Sequence, residues 1–116
     1  PHCNKEFAMY RSMLYLHVKP GQADAAIEWY KEARVLEKAV EAVGCVSTEI
    51  YKLPDEPDTL FVTAYWKNFE DYQRWVDHPL RKELAPGVNA LLDETHEFNE
   101  KSKGLLLESG HAAPII

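Results

Sequence analysis

Residues 60–66, with the sequence Leu-Phe-Val-Thr-Ala-Tyr-Trp, constrain the fold more than any other stretch of this chain. The side chains of a strand alternate between its two faces, and both faces are largely apolar here. One face would carry Leu60, Val62, Ala64 and Trp66, and the other would carry Phe61, Thr63 and Tyr65. A strand with two apolar faces is typical of the centre of a sheet that is covered on both sides. In so short a chain, we expect helices to cover one face and a second copy of the protein to cover the other.

The composition is that of one globular domain, with 116 residues, 46% of them apolar and 28% charged. The net charge of -6 and the scattered basic residues disfavour nucleic-acid binding. No run reaches the roughly 18 apolar residues of a membrane span, and the N-terminus lacks the apolar core of a secretory signal. We therefore expect a cytoplasmic protein without a membrane segment. Cys3 and Cys45 lie far apart and outside any CxxC motif, which predicts reduced thiols.

The first half of the chain predicts a strand followed by a long helix. Side chains alternate in character over residues 12–18, and the sequence Lys-Pro-Gly at residues 19–21 then turns the chain. Apolar residues recur at steps of three and four over residues 23–43, which indicates a single amphipathic helix. Gly44 is well placed to cap its C-terminal end.

The second half predicts a hairpin and a second helical region. Residues 46–53 form the second strand, and a turn cluster of about five residues joins it to the third. Asn68 is predicted to cap the next helix, and His78-Pro79 to break it. Leucines and valines continue a helical spacing beyond this break, in a segment that Pro86-Gly87 should interrupt.

The chain ends, in this interpretation, with a fourth strand and a tail. Residues 95–101 fit a strand with His96 and Phe98 on one face. Residues 104–116 are an apolar tail too short to fold alone, so we expect it to pack on a neighbour.

The predicted order is strand, helix, strand, strand, helix, strand. That is the βαββαβ plan of the ferredoxin-like α+β fold, an antiparallel sheet with both helices on one face. The chain is then one domain over residues 1–116, with a polar and aromatic arm at residues 1–11 and a core at residues 12–103. The uncovered face favours a homodimer in which two sheets pack together.

Several short motifs resemble the antibiotic biosynthesis monooxygenase family, whose members are dimeric α+β barrels. The resemblance covers about residues 13–101 and rests on turns and on aromatic positions around the third strand. Its motifs are Lys19-Pro20-Gly21, Gly44-Cys45-Val46, residues 66–72 with the sequence Trp-Lys-Asn-Phe-Glu-Asp-Tyr, Trp75 and His78-Pro79-Leu80-Arg81. The same superfamily includes haem-degrading enzymes and small-molecule isomerases.

The resemblance implies that the chain oxidises a polycyclic, polyketide-like or other small aromatic phenol or hydroquinone with dioxygen and no metal or flavin. In such chemistry the substrate loses a proton and becomes an electron-rich carbanion, which reduces dioxygen directly. The protein must then supply a dry pocket, a group that polarises the substrate and a proton acceptor. The partners implied are a small aromatic substrate, dioxygen and a second subunit.

The resemblance also implies site residues. Trp66 matches a tryptophan at the end of the family's third strand, and Tyr72 matches a tyrosine on the following helix. The family's asparagine inside the third strand is Val62 here, and its arginine after the helix break falls at Ala85 or Pro86. Arg81 or the adjacent Lys82, about one turn earlier, is the candidate for the missing positive charge. The haem-degrading branch needs an asparagine where this chain has Leu14, so that activity is not expected.

Further pocket residues follow from the same alignment. His78 and His96 are candidate acid–base groups, and the candidate substrate contacts are Val62, Tyr65, Trp75 and Leu84. Each has an ordinary structural explanation, since aromatics at strand ends and on helix stripes pack well in a core without any ligand. No two histidines have the spacing of metal ligands on one element, so no metal is expected.

Two alternatives to an oxygenase remain open at this point. One is an isomerase, lyase or cyclase that uses the same pocket with a histidine as proton shuttle. The other is a dimer that binds a small apolar ligand without turnover, or whose pocket is filled by its own aromatic side chains.

Overall fold

The structure, a computed structural model, describes residues 9–95, 102–111 and 113. Within these residues a four-stranded antiparallel sheet has the order β2-β3-β1-β4. Its strands are β1 (Tyr10–His17), β2 (Ser47–Leu53), β3 (Glu56–Trp66) and β4 (Ser102–Leu106). The third strand pairs with both β1 and β2 and is therefore central, as its two apolar faces predicted.

Helices pack on one side of this sheet. They are α1 (Ala23–Glu32), α2 (Val35–Val43), α3 (Phe69–Val76) and α4 (Pro79–Asn89). Leu16 and Leu60 of the sheet pack with Tyr30 of α1, while Trp66 packs with Trp75 of α3. The ferredoxin-like α+β plan is confirmed, with a pair of helices at each position where the sequence predicted one. None of the helices described is long and apolar enough to cross a membrane.

The two faces of the sheet differ in whether the described helices cover them. The covered face carries the even-numbered residues of β1 and β3, and Leu60 and Trp66 there are 0% and 2% exposed. The open face carries the odd-numbered residues, including Tyr15, which is 41% exposed. We use these two names below.

The predicted helix over residues 23–43 is wrong in one respect, because the chain forms two helices there. The break is at Arg34, which has a φ of 55° in the left-handed region that residues with a Cβ rarely adopt. No proline or glycine marks this position, and the apolar stripe runs across it, so the sequence pattern gave no sign of the break. Gly44 caps α2 with a φ of 71°, as predicted.

The hairpin between β2 and β3 is tighter than predicted. Pro54 and Asp55 alone form the turn, since Glu56 already pairs with Leu53. The register then shifts, so that Pro57 has no opposite residue on β2. A proline at such an irregularity costs no ladder hydrogen bond, which allows β3 to begin before it.

The predicted helix start at Asn68 and the predicted break at His78-Pro79 are confirmed. The Asn68 side chain accepts a hydrogen bond of 2.8 Å from the Asp71 amide and so begins α3. His78 begins α4, where Nδ1 accepts a 3.1 Å bond from the Leu80 amide. The predicted interruption at Pro86-Gly87 is wrong, because α4 continues to Asn89. Gly87 is required by packing, since a Cβ there would lie 2.1 Å from a ring carbon of Trp29.

The fourth strand lies further along the chain than predicted. Of the predicted residues 95–101, the structure describes only Thr95, which lies in a turn; His96 and Phe98 lie outside the described residues. The strand β4 instead uses the beginning of the predicted tail, and Gly104 pairs with Ser12. Residues 10 and 11 of the predicted arm likewise belong to β1. Alternation of side chains was too weak in both stretches to locate the strand ends.

Candidate active site

A cavity of about 130 Å³ lies between the covered face and the helices. The sheet provides Ser12, Leu14, Leu16, Thr48, Val62, Ala64 and Trp66 as its floor. The helices provide Tyr30, Val35, Leu36, Ala39, Tyr72, Trp75, Arg81, Leu84, Ala85 and Val88 as its roof and walls. An apolar cavity of about 150 Å³ holds one benzene molecule, so the space here is close to that of a single aromatic ring.

Trp66 is a rigid wall of this cavity. It is 2% exposed, and its Nε1 donates a 3.0 Å hydrogen bond to Ser12 Oγ in the interior. Trp66 is the last residue of β3 and Ser12 belongs to the adjacent β1, so pairing of the strands fixes their relative position. A buried indole N–H needs such a partner, and this bond also sets the orientation of the ring.

Tyr72 joins the cavity to an aromatic cluster at its edge. Its ring centroid lies 5.6 Å from that of Trp66 and 5.2 Å from that of Tyr10. Phe69 packs edge-on against Tyr10 at 5.1 Å and is itself exposed at the surface. Burial raises the pKa of the Tyr10 phenol, and the nearby Tyr72 adds to the rise. The Tyr10 phenol therefore keeps its proton at neutral pH.

Arg81 is the cation of the cavity. It lies on the first turns of α4, and Leu84 and Ala85, about one turn further on, line the same space. In the part of the chain that the structure describes, no carboxylate or hydrogen-bond acceptor pairs with Arg81. A half-buried guanidinium without a partner beside an apolar cavity favours an anionic ligand. The adjacent Lys82 is exposed and does not line the cavity.

The structure brings most of the predicted site residues together. Trp66, Tyr72 and Arg81 line the cavity with the predicted contacts Val62, Trp75 and Leu84. The site could not be assembled from sequence alone, because the residues that line the cavity come from three strands and from α1 to α4. Ala85, where the family arginine was expected, also lines it, so Arg81 approaches the same space from a different turn of the helix.

Two predicted residues are not part of this group, and a third cannot be located relative to it. Tyr65 lies on the open face, where the Arg11 guanidinium carbon is 5.2 Å from its ring centroid. His78 is outside the cavity, because its ring caps α4 and stacks against Trp75 at 5.8 Å. His96 lies outside the described residues. Side chains alternate along β3, so Tyr65 and Trp66 lie on opposite faces of the sheet, and this alternation was the available signal against Tyr65 as a cavity residue.

Three hydroxyl-bearing residues of the cavity were missed by sequence reasoning. Ser12 and Thr48 are the hydroxyl-bearing residues of the sheet floor, and Tyr30 contributes a phenol from α1. Ser12 and Thr48 fall on the inward face of their strands by alternation, and a polar residue on that face was the available signal. Tyr30 belongs to an apolar helix stripe and gave no separate signal.

Metal ligation and thiol chemistry find little support in the geometry. Across residues 9–95, 102–111 and 113, no three His, Cys, Asp or Glu side chains lie together in the manner of a metal site. Burial raises the pKa of the Cys45 thiol from 9.0 to about 11. A thiol with so high a pKa is a poor nucleophile at neutral pH.

Solved structures of other proteins share this fold. A protein from Chloroflexus aurantiacus J-10-fl, whose name assigns it provisionally to the antibiotic biosynthesis monooxygenases, is 21% identical with a TM-score of 0.63, over 90% of this chain and 98% of its own. A conserved protein from Methanosarcina mazei Go1 is 18% identical, with a TM-score of 0.66 over 88% and 93% of the two chains. The protein Rv0793 from Mycobacterium tuberculosis is 14% identical, with a TM-score of 0.63 over 94% and 97%. At these identities the likeness establishes the fold alone.

Comparison of the sequence with family models identifies the family to which the chain belongs. No curated protein matches the chain. The family model described as antibiotic biosynthesis monooxygenase matches residues 9–86, which include β1 to β3, all of α1 to α3 and most of α4. The match therefore contains every lining residue of the cavity except Val88. The chain belongs to the antibiotic biosynthesis monooxygenase family.

Proposed function

We propose that this protein is a cofactor-independent monooxygenase that oxidises a small phenol or hydroquinone with dioxygen. Family membership supports the reaction class, and the cavity supports the size of the substrate. A space of about 130 Å³ suits one aromatic ring, whereas a polycyclic substrate would require the helices to move. Among the substrates that the family resemblance suggests, the cavity therefore favours those with a single ring.

The observation that carries the proposal is Arg81, which has no partner among the described residues and lies beside an apolar, ring-sized cavity. A guanidinium stabilises a phenolate far more than a phenol, because an ionic hydrogen bond is stronger where water is excluded. Arg81 would then lower the pKa of a bound phenol and increase the fraction that is ionised. Ionisation is the step that makes the ring electron-rich enough to react with dioxygen.

The lining residues also indicate how the proton is handled. None of the lining residues described is a histidine, aspartate or glutamate. A substrate that requires a strong base inside the cavity, as an isomerase substrate does, is therefore poorly served. A phenol that ionises in solution and binds as its anion needs no such base.

The proposed reaction balances without an added reductant. A ring carbon of the bound phenolate forms a bond to dioxygen, and the oxygen–oxygen bond then breaks. One oxygen atom stays as a new carbonyl, and the other leaves as water with the two hydrogens that the phenol loses, one from C–H and one from O–H. The ring thus supplies all the electrons, and the product is a quinone. Tyr72, whose side chain lies at the cavity wall, is the proposed proton donor to the departing oxygen.

Oxygen uptake by the metal-free protein tests this function. The panel is a set of single-ring phenols and hydroquinones together with anthrones, compared between wild type, Arg81→Leu, Trp66→Phe and the control Lys82→Leu. We expect saturable uptake with single-ring substrates that Arg81→Leu lowers strongly and Lys82→Leu leaves unchanged. Uptake no faster than the protein-free rate for the whole panel would contradict the proposal and favour the ligand-binding alternative.

We also propose that the open face joins two copies of the chain. Tyr15 and Tyr51 are 41% and 52% exposed there, beside the half-buried Phe61 and Arg11. A cluster of aromatic side chains around an arginine is typical of the centre of a protein interface. Sedimentation velocity of Tyr15→Glu should show monomers where wild type shows dimers, and Lys31→Glu on α1 is the control. A monomeric wild type would refute this arrangement.

A further inference from the structure

Two hydroxyl groups lie in one row across the cavity floor. Ser12 on β1 pairs with Ala64 on β3, and Thr48 on β2 pairs with the same Ala64 from the other side. Adjacent strands are about 4.8 Å apart, so the side chains of Ser12 and Thr48 are separated by about 10 Å. Ala64 between them carries only a methyl group, which leaves the middle of the row open to the cavity.

The two hydroxyls differ in the hydrogen bonds they have left to make. Ser12 Oγ accepts the bond from Trp66 Nε1, and its own O–H finds no acceptor in the part of the chain that the structure describes. Thr48 Oγ1 donates its hydrogen to the carbonyl oxygen of Thr63 at 3.0 Å, so only its lone pairs remain. Since a hydroxyl has one hydrogen and two lone pairs, Ser12 offers a donor and Thr48 an acceptor.

This spacing suits a ring with oxygens at opposite positions. Such oxygens are about 5.5 Å apart, and a hydrogen bond of about 2.7 Å at each end gives a span of about 11 Å. A ring that carries one ionised and one protonated oxygen needs a donor at one end and an acceptor at the other. The row provides both, with Ala64 as the surface beneath the ring.

We propose that Ser12 and Thr48 are binding residues that select a single-ring 1,4-dihydroxybenzene as its monoanion. The oxyanion accepts from the Ser12 hydroxyl, the protonated oxygen donates to Thr48, and Arg81 stabilises the negative charge. This inference rests on the proposed function, because it names the substrate class of that same cavity. It separates 1,4-dihydroxybenzene from phenol and from the 1,2- and 1,3-isomers, which cannot reach both ends of the row.

The test is anaerobic binding, which excludes turnover. Tryptophan fluorescence is titrated with 1,4-, 1,3- and 1,2-dihydroxybenzene and with phenol, because Trp66 forms the cavity wall. We expect the 1,4-isomer to bind about 10-fold more tightly than the other three, as one additional hydrogen bond implies. Equal affinities for the 1,4-isomer and phenol would overturn the proposal.

Variants then assign the two ends. Thr48→Val should lower the affinity for the 1,4-isomer about 10-fold while the affinity for phenol stays unchanged, and Thr48→Ser should restore it. Ser12→Ala should weaken phenol and the 1,4-isomer alike, since both present an oxygen to Ser12. Equal weakening of both ligands by Thr48→Val would show a merely structural role, and far-UV circular dichroism checks that each variant folds.

The outcomes separate this inference from the proposed function. Tight, selective binding of the 1,4-isomer without oxygen uptake in air would leave the binding assignment standing and refute the monooxygenase. Oxygen uptake without preference for the 1,4-isomer would do the reverse.

Discussion

The two faces of the central strand are similar in composition, but one is buried under helices and the other is exposed. On the covered face, Leu60 and Trp66 are almost fully buried, and the helices leave a ring-sized cavity against them. On the open face, Tyr15 remains 41% exposed, and none of the helices described lies over it. The comparison teaches that apolar content alone does not distinguish a site from a surface.

Polar groups distinguish the faces more sharply. On the open face they satisfy one another: Arg11 Nε donates to Thr63 at 2.9 Å, and Tyr51 donates to Glu49 at 2.9 Å. In the cavity above the covered face, the Arg81 guanidinium of α4 and the Ser12 hydroxyl of β1 retain donors without acceptors among the described residues. Unused hydrogen-bonding capacity in an apolar space points to a ligand, because leaving it unmet costs free energy.

The largest expected effect is on stability. Trp66→Ala should lower the free energy of unfolding by about 3–5 kcal/mol, since it opens a cavity in the covered face and removes the partner of Ser12. The matched change Phe61→Ala, five residues earlier on the open face of the same strand, should cost about 1–2 kcal/mol in the monomer. Urea denaturation at several protein concentrations measures both. If both variants lost the same free energy of unfolding at all protein concentrations, the proposed difference between the two faces would be wrong.

A pair of arginines should separate function from stability. Arg81→Leu should lower oxygen uptake about 10–100-fold through the lost ionic hydrogen bond, with stability unchanged or higher because an unpaired half-buried charge is removed. Arg11→Leu should leave uptake unchanged and cost about 1–3 kcal/mol, since it removes the bond to Thr63 and the contacts with Phe61 and Tyr65. If Arg11→Leu abolished oxygen uptake and Arg81→Leu did not, the site would have to lie on the open face.

The Cys45 thiol should make the protein less stable in alkali. Its pKa is raised to about 11 by burial, so the folded state holds this proton after the unfolded state has lost it. Its contribution to stability is complete below the ordinary value of 9.0 and is lost as the pH rises through about 11. Denaturation midpoints of wild type and Cys45→Ala are measured between these two pH values. The midpoint of the wild type should fall relative to that of Cys45→Ala as the pH increases. Parallel curves would indicate an ordinary thiol pKa.

The smallest expected effect is on the open face. The hydrogen bond to the Glu49 carboxylate raises the pKa of Tyr51 above its ordinary value. Glu49→Gln should return that pKa towards the ordinary value, without a measurable change in stability because both groups are exposed. Tyrosinate absorbance as a function of pH records the change, and Tyr51→Phe identifies the signal. An unchanged titration would show that the pair does not form in solution.

Much of the fold was accessible to sequence reasoning, because its signals are local. Alternation predicted β1 to β3, Asn68 was predicted to begin a helix that His78-Pro79 breaks, and Gly44 was predicted to end another. The errors have a common cause. Arg34 adopts a left-handed conformation, and Pro86 lies inside α4 without ending it. Nothing in the sequence next to either residue requires these conformations. Packing against the rest of the molecule decides such positions.

By itself, the sequence determined the centre of the sheet, the element order and the family, because each follows from periodicity or from short motifs. Only the tertiary structure decided which polar groups meet. Ser12, Thr48 and Arg81 come from three distant segments, and their common cavity depends on strand register and on the position of α4. The physical reason is that periodicity assigns a side chain to a face, whereas a binding site requires distances between faces of different elements, and these are fixed only when the core packs.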